Sequence, residues 1–241
     1  MRLFFRRALL ALIALLVVCA IGLAGLLLLT PSVANARQLA EAFDHAQGAP
    51  YPGVAAPPRF SAALEATEDH RFATEPGIDL FGAARFFSGV LRGQGDQGGS
   101  TLYQQLAKML YTPDEAGVTA KADQVGLAIK LKYSYSGAEI LRLYGDVAYF
   151  GHGFYGLQEA SCGYFGVQPD QMSWPQSALL AGLVQAPSSD DPISYAAAGR
   201  SREQHVLGRL VAVGAISQAS ADGYLKVPLS ALLAHAGGCR A

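Results

Sequence analysis

The sequence predicts a mainly α-helical domain carried behind one N-terminal transmembrane helix. Three observations lead there. The run from Ala8 to Leu29 is uncharged and almost wholly Ala, Leu, Ile, Val and Gly. Several later segments repeat apolar residues at helical spacing, with Gly and Pro between them. Thr101 and Gln104 match a capping box, the signature of a helix start.

A helix needs roughly 20 apolar residues to cross a bilayer, and the first run has that length. Arg2, Arg6 and Arg7 precede it, and flanking positive charge tends to stay on the cytoplasmic side. The expectation is a cytoplasmic N-terminus (1–7), a transmembrane anchor (8–30) and an extracytoplasmic domain. Ala34-Asn35-Ala36 resembles a cleavage site, so a removed signal peptide is the competing reading. Either exports the domain. A lipoprotein signal at Cys19 is disfavoured because Val18 is not the small residue required before it.

Residues 31–59 are rich in Pro, Ala and Gly and read as a connector. Ser61 is the expected N-cap of a helix over 62–72. A second helix is expected over 80–92, then a flexible Gly-rich loop over 93–99, then the capped helix from Thr101 to about Tyr111. Residues 125–135 are ambiguous. Val125, Leu127, Ile129, Leu131, Tyr133 and Tyr135 alternate as in a strand, while Ala128, Lys130, Leu131 and Lys132 favour a helix. Helices are expected over 138–148, 156–165, 173–185 and 199–213. The domain spans 60–230 and the tail 231–241.

Formal net charge is −1, which gives no global field for nucleic acid. The three Cys residues form no disulfide framework; Cys162 and Cys239 can pair in an oxidising compartment, but nothing in the sequence requires it. No Cys/His spacing suits zinc, and no metal ligand is assigned.

The chemistry concentrates in two places. Glu68-Asp69-His70-Arg71-Phe72 puts two carboxylates, a His and an Arg on about one helical turn behind an apolar run. Clustered ionisable groups suit a site that moves a proton or holds charge. Gly98-Gly99-Ser100-Thr101 then opens onto a helix bearing Gln104, Gln105 and Lys108. Such an N-terminus offers free N–H groups to an anion, and Lys is a point charge suited to phosphate.

With these blocks in place, the chain resembles glycosyltransferase family 51. This is the peptidoglycan glycosyltransferase domain of penicillin-binding proteins, and the likeness is to a divergent monofunctional biosynthetic transglycosylase. The resemblance rests on ATEDHRF with PGID, GGSTLYQQLAK, EILRLY with YFGHGFYG, YFG at 164–166 and LLAGLVQAP, in that order over roughly 50–230. The single-domain type fits because the chain carries no SxxK or KTG of the transpeptidases.

The resemblance implies a lysozyme-like helical fold at the outer face of the inner membrane. Its implied reaction is polymerisation of lipid II into glycan strands from an undecaprenyl-pyrophosphate-linked donor. It implies Glu68 as general base. It implies substrate binding by Asp69, Ser100, Thr101, Gln104, Gln105, Lys108 and Lys121. Mg²⁺ or another divalent cation is the cofactor it allows. Lipid II, the membrane and cell-wall synthesis proteins are the partners it suggests, with no nucleic acid.

The third block departs from the family. Its usual R-K-x-x-E reads Ala120, Lys121 and Gln124, so the second catalytic carboxylate is a Gln, which cannot carry charge. Glu75 stands where His is usual, Met109 where Asn is common, and Gly145-Asp146 replaces Leu-Asn. Glu75 or Asp123 is a candidate replacement carboxylate. Asp123 is turned about 100° from Gln124 on a helix, and Glu75 serves only if its segment meets that of Gln124. His152, Trp174 and Phe72 read as structural or packing residues. The rival reading is a catalytically impaired, lipid-linked-glycan-binding or regulatory homologue; another is turnover of a different polyprenyl-linked substrate.

Overall fold

The computed structural model describes residues 2–79, 82, 99–233 and 239. Eleven α-helices are present among these residues: α1 (Arg2–Leu29), α2 (Ala36–Gln47), α3 (Pro58–Glu68), α4 (Leu102–Tyr111), α5 (Gly117–Ser134), α6 (Gly137–Val147), α7 (Leu157–Phe165), α8 (Trp174–Leu183), α9 (Ala196–Ala212), α10 (Gln218–Tyr224) and α11 (Leu229–Leu232). The described residues contain no strand, only an isolated bridge between Tyr149 and Tyr155. The chain is thus mainly α. The expected helix over 80–92 and most of the following loop lie outside the described residues.

α1 stands out from the rest. Phe4–Leu29 is long and apolar enough to cross a membrane and buries none of its most apolar window against the protein. Leu28 and Leu29 are 85% and 86% exposed. Its last turn meets α5 at Gly126, where an added Cβ would lie 2.8 Å from Thr30 Cγ2. Lys130 Nζ donates to the carbonyls of Thr30 (2.6 Å) and Pro31 (3.0 Å), placing a cation where helix carbonyls lack partners.

The region read as a connector carries α2, whose Ala36 and Ala40 are fully buried. α2 packs on α6, and Gly48 ends it in the left-handed conformation (φ 72°). The first core helix starts at Pro58 rather than after Ser61. Pro at the first helical position has φ preset and no N–H to leave unpaired. The Ser61 hydroxyl donates to Ala56 O instead. This helix stops at Glu68, not residue 72, because Asp69 leaves helical geometry at φ −156°, ψ 71°.

Residues 125–135 resolve as helix through Ser134. Ala120, Gln124, Leu127, Ala128 and Leu131 are buried at helical spacing. The helix packs against both α4 and α1. Apolar residues therefore occur on more than one of its faces, which produces the strand-like alternation. α8 is central, buried on nearly every position, and packs on α3 and α9. The core runs through Phe60, Leu64, Leu106, Leu127, Ile140 and Tyr164, all fully buried. Phe72 is buried and stacks on Tyr103 at 4.8 Å, and Trp174 packs against the core. A disulfide joins Cys162 of α7 to Cys239 in the tail.

Candidate active site

The C-terminus of α3 and the N-terminus of α4 meet edge to edge. Asp69, at the end of α3, accepts the Leu102 N–H at 3.0 Å. A carboxylate there pairs an orphan donor and complements the helix dipole. Thr101 completes the expected capping box: its Oγ1 accepts from Gln104 N (3.1 Å), and Gln104 Oε1 accepts from Thr101 N (3.0 Å). The Thr101 hydroxyl also donates to Gly77 O at 2.8 Å. Gly77 has φ +89°, and a Cβ there would lie 2.6 Å from Ala128 O, so this turn requires Gly.

This junction borders a cleft of about 680 Å³. Glu68, Ser100, Gln104, Gln105, Lys108, Lys121 and Gln124 all line it. Asp69 and Thr101, the other two expected site residues, are buried beside it and spend their polar atoms on α4 and the Gly77 turn.

Glu68 is held from two sides. Gln105 Nε2 donates to Glu68 Oε2 at 2.9 Å, and the Tyr144 hydroxyl donates to Gln105 Oε1 at 2.8 Å. Arg202 of α9 places Nη2 3.9 Å from Glu68 Oε1, while its Nε donates to Gly182 O at 3.0 Å. Burial pushes the Glu68 carboxyl above its ordinary range, and the Gln105 bond and Arg202 charge oppose that rise. The Tyr144 hydroxyl, fully buried and near Glu68, is pushed well above its usual value and stays a donor.

On the opposite wall, Lys121 Nζ donates to Ser100 Oγ, drawing α5 to the loop before α4. Lys108 is exposed in the cleft. Gln124 is only 7% exposed, and its Nε2 donates to Thr112 Oγ1 at 3.1 Å. Glu75 does not take its place. Its segment meets α5 at Ala128 and Lys132 through Gly77, about one turn beyond Gln124. Burial and the neighbouring Asp69 charge push the Glu75 carboxyl well above its ordinary range. His152 lies outside the cleft lining, with Nδ1 3.0 Å from Asp191 Oδ2.

The carboxylates among the residues lining the cleft are Glu68 and Glu115. The second carboxylate position is an amide committed to Thr112. Among the described residues, no three His, Cys, Asp or Glu side chains are grouped to share an ion. Positive charge in the cleft comes from Lys108 and Lys121.

Sequence reasoning did not assign Arg202 or Tyr144 to the site. Tyr144 lies inside the EILRLY block, where its burial at helical spacing was visible but its partner was not. Nothing local marks Arg202, which reaches Glu68 only because α9 packs on α3.

Comparisons with known proteins bear on the family. A family model described as Transglycosylase matches residues 36–211. A Cupriavidus necator protein described as a transglycosylase is 36% identical over 225 residues, covering 91% of this chain and 96% of its own length. Penicillin-binding protein 2a of Streptococcus pneumoniae is 38% identical over 156 residues, 65% of this chain. Penicillin-binding protein 1A of the same species is 37% identical over 172 residues, 70% of this chain. The chain spans 21% and 24% of those two proteins. A crystal structure of penicillin-binding protein 1A from Haemophilus influenzae aligns with TM-score 0.37 at 26% identity, covering 53% of this chain and 16% of its own. By the match over most of its length, the chain belongs to the transglycosylase family.

Proposed function

We propose that this protein is a membrane-anchored peptidoglycan glycosyltransferase that polymerises lipid II, with Glu68 as general base. The observation that carries the reading is the cleft itself. A carboxylate with a raised pKa, oriented by Gln105, shares a water-accessible groove with Lys108 and Lys121. A base tuned towards neutral pH transfers protons most effectively, and fixed cations stabilise a departing anion.

In this reading the acceptor sugar 4-hydroxyl attacks the anomeric carbon of the lipid-linked donor. Its proton passes to Glu68. The anomeric carbon–oxygen bond to the diphosphate breaks, and the electron pair leaves with undecaprenyl diphosphate. Lys108 and Lys121 face the charge that develops there. α1 anchors the domain in the inner membrane with the cleft on the extracytoplasmic side. The disulfide between Cys162 and Cys239 supports that side, since disulfides persist in oxidising compartments.

The test is polymerisation of labelled lipid II by the purified full chain, resolved on gels. Glu68→Gln is expected to lower the rate by roughly 10²–10⁴-fold with unchanged circular dichroism. Absence of polymer, under conditions where a standard penicillin-binding protein makes it, rejects the activity.

One observation favours a second reading, a glycan-binding homologue with impaired catalysis: the uncharged Gln124, bonded inward to Thr112. Binding of lipid II without turnover, in a protein whose Gln124→Glu variant polymerises strongly, is the outcome that would select it.

A further inference from the structure

A second cavity, of about 550 Å³, lies at the foot of α1, away from the cleft. Leu27 and Leu28 line it together with Arg37, Lys130, Ser134 and Tyr135. The two leucines belong to the last turn of the apolar helix. If that helix crosses the bilayer, as the proposed function holds, the cavity sits where hydrocarbon gives way to headgroups.

Its polar lining is cationic. Lys130 spends two of its three donors on Thr30 O and Pro31 O. Arg37 engages Glu139 through Nε at 2.8 Å and lies 5.4 Å over the Tyr135 ring, with a side chain 60% exposed. The Glu139 oxygen that Arg37 uses is shared with Arg142, which in turn pairs with Asp146. The lining of the cavity itself holds two cations, Arg37 and Lys130, and no carboxylate. Capping α1 accounts for Lys130 alone. It accounts neither for Arg37 nor for an open cavity whose lining combines leucines of α1 with two cations.

We propose that this cavity binds the phosphate of an anionic phospholipid, with the acyl chains running along Leu27 and Leu28. A phosphodiester offers oxygens to the remaining Lys130 donor and to the Arg37 guanidinium. A net negative headgroup matches the charge excess, whereas a zwitterionic one adds an ammonium against it.

The experiment uses the full chain. Flotation with phosphatidylcholine vesicles after alkaline wash first tests the anchor. Native mass spectrometry of detergent-solubilised protein then compares retention of phosphatidylglycerol and phosphatidylcholine, in the parent and in Arg37→Gln and Lys130→Gln. The expected result is one phosphatidylglycerol retained in preference to phosphatidylcholine, weakened about fivefold by each charge removed. Arg37→Gln keeps the α1 cap, so its loss of lipid cannot come from loosening that helix. Inorganic phosphate at millimolar concentration is expected not to displace the lipid; displacement would overturn the lipid assignment in favour of a soluble anion. Floating protein that retains both lipids equally, or retains phosphatidylglycerol unchanged in both variants, overturns the headgroup site while leaving the anchor standing. Failure to float overturns both.

Discussion

Gln105 Nε2 donates to Glu68 Oε2 at 2.9 Å, and the polarity of that bond is set from its far end. Gln105 Oε1 already accepts from the buried Tyr144 hydroxyl. The amide can then only donate to Glu68, which favours the carboxylate over the acid.

Tyr144→Phe releases the amide to turn. An oxygen facing Glu68 favours the protonated acid, so its pKa rises further above the ordinary value. A general base works only when ionised, so activity appears as pH rises through that pKa. The acidic limb of the kcat/KM profile for lipid II polymerisation is expected to move to higher pH. Loss of one neutral hydrogen bond is worth about 0.5–1.5 kcal/mol, which at neutral pH corresponds to a loss of roughly two- to tenfold. The deficit should shrink in alkaline buffer; a uniform loss at every pH would contradict the orienting role.

Lys121 joins α5 to Ser100 across the cleft. Lys121→Gln keeps a donor but removes the charge offered to a diphosphate. A charged hydrogen bond is worth about 1.5–3 kcal/mol, so kcat/KM should fall by roughly ten- to a hundredfold. Thermal unfolding should change little, because the residue is exposed. An unchanged kcat/KM removes Lys121 from substrate binding.

Gln124 is held by Thr112 within a nearly closed site. Gln124→Leu leaves the buried Thr112 hydroxyl without its donor and should cost about 1–3 kcal/mol in urea unfolding. Gln124→Glu can instead accept from that hydroxyl and lies one turn from Lys121. Polymerisation by this variant is expected to stay within about threefold of the parent, since a compensating hydrogen bond offsets the change.

Asp44 and Asp146 form a buried carboxyl pair away from the cleft, between α2 and α6, beside Gly53. Burial and mutual repulsion push Asp44 up to about 7; burial pushes Asp146 up to about 6 against the pull of Arg142. Asp44 Oδ2 has no hydrogen-bond partner. Below the unfolded value of 3.8 both states are protonated and the pair costs nothing. As pH rises towards 7 the unfolded chain loses its protons first, so folding stability declines across that window and then levels. Asp44→Asn is expected to stabilise the protein by about 1–3 kcal/mol at pH 8 and by much less at pH 4, read from urea midpoints. Equal effects at both pH values would show that the carboxyl is not strained by its charge.

Much of this protein was legible from local chemistry. The uncharged run of α1, the Thr101–Gln104 capping box and the Gly and Pro breaks depend on residues a few positions apart. Their consequences therefore appear in sequence. The ordered blocks that carry the family resemblance also bring Glu68, Gln105, Lys108 and Lys121 to the same cleft. The alternation of 125–135 left strand and helix both open because α5 is packed by α1 as well as α4, which blurs a single apolar face. Only packing decided the rest. Asp69 has the chemistry of a ligand, yet the approach of α3 to α4 uses it to hold the Leu102 N–H, and the Thr101 hydroxyl donates across to Gly77 O. Arg202 reaches Glu68 because α9 lies on α3, and the Gln105 amide is oriented because α6 delivers Tyr144 beneath it. Capping is specified by spacing along one helix. The direction of a buried hydrogen bond is specified by which helices touch, and that is a property of the assembled core.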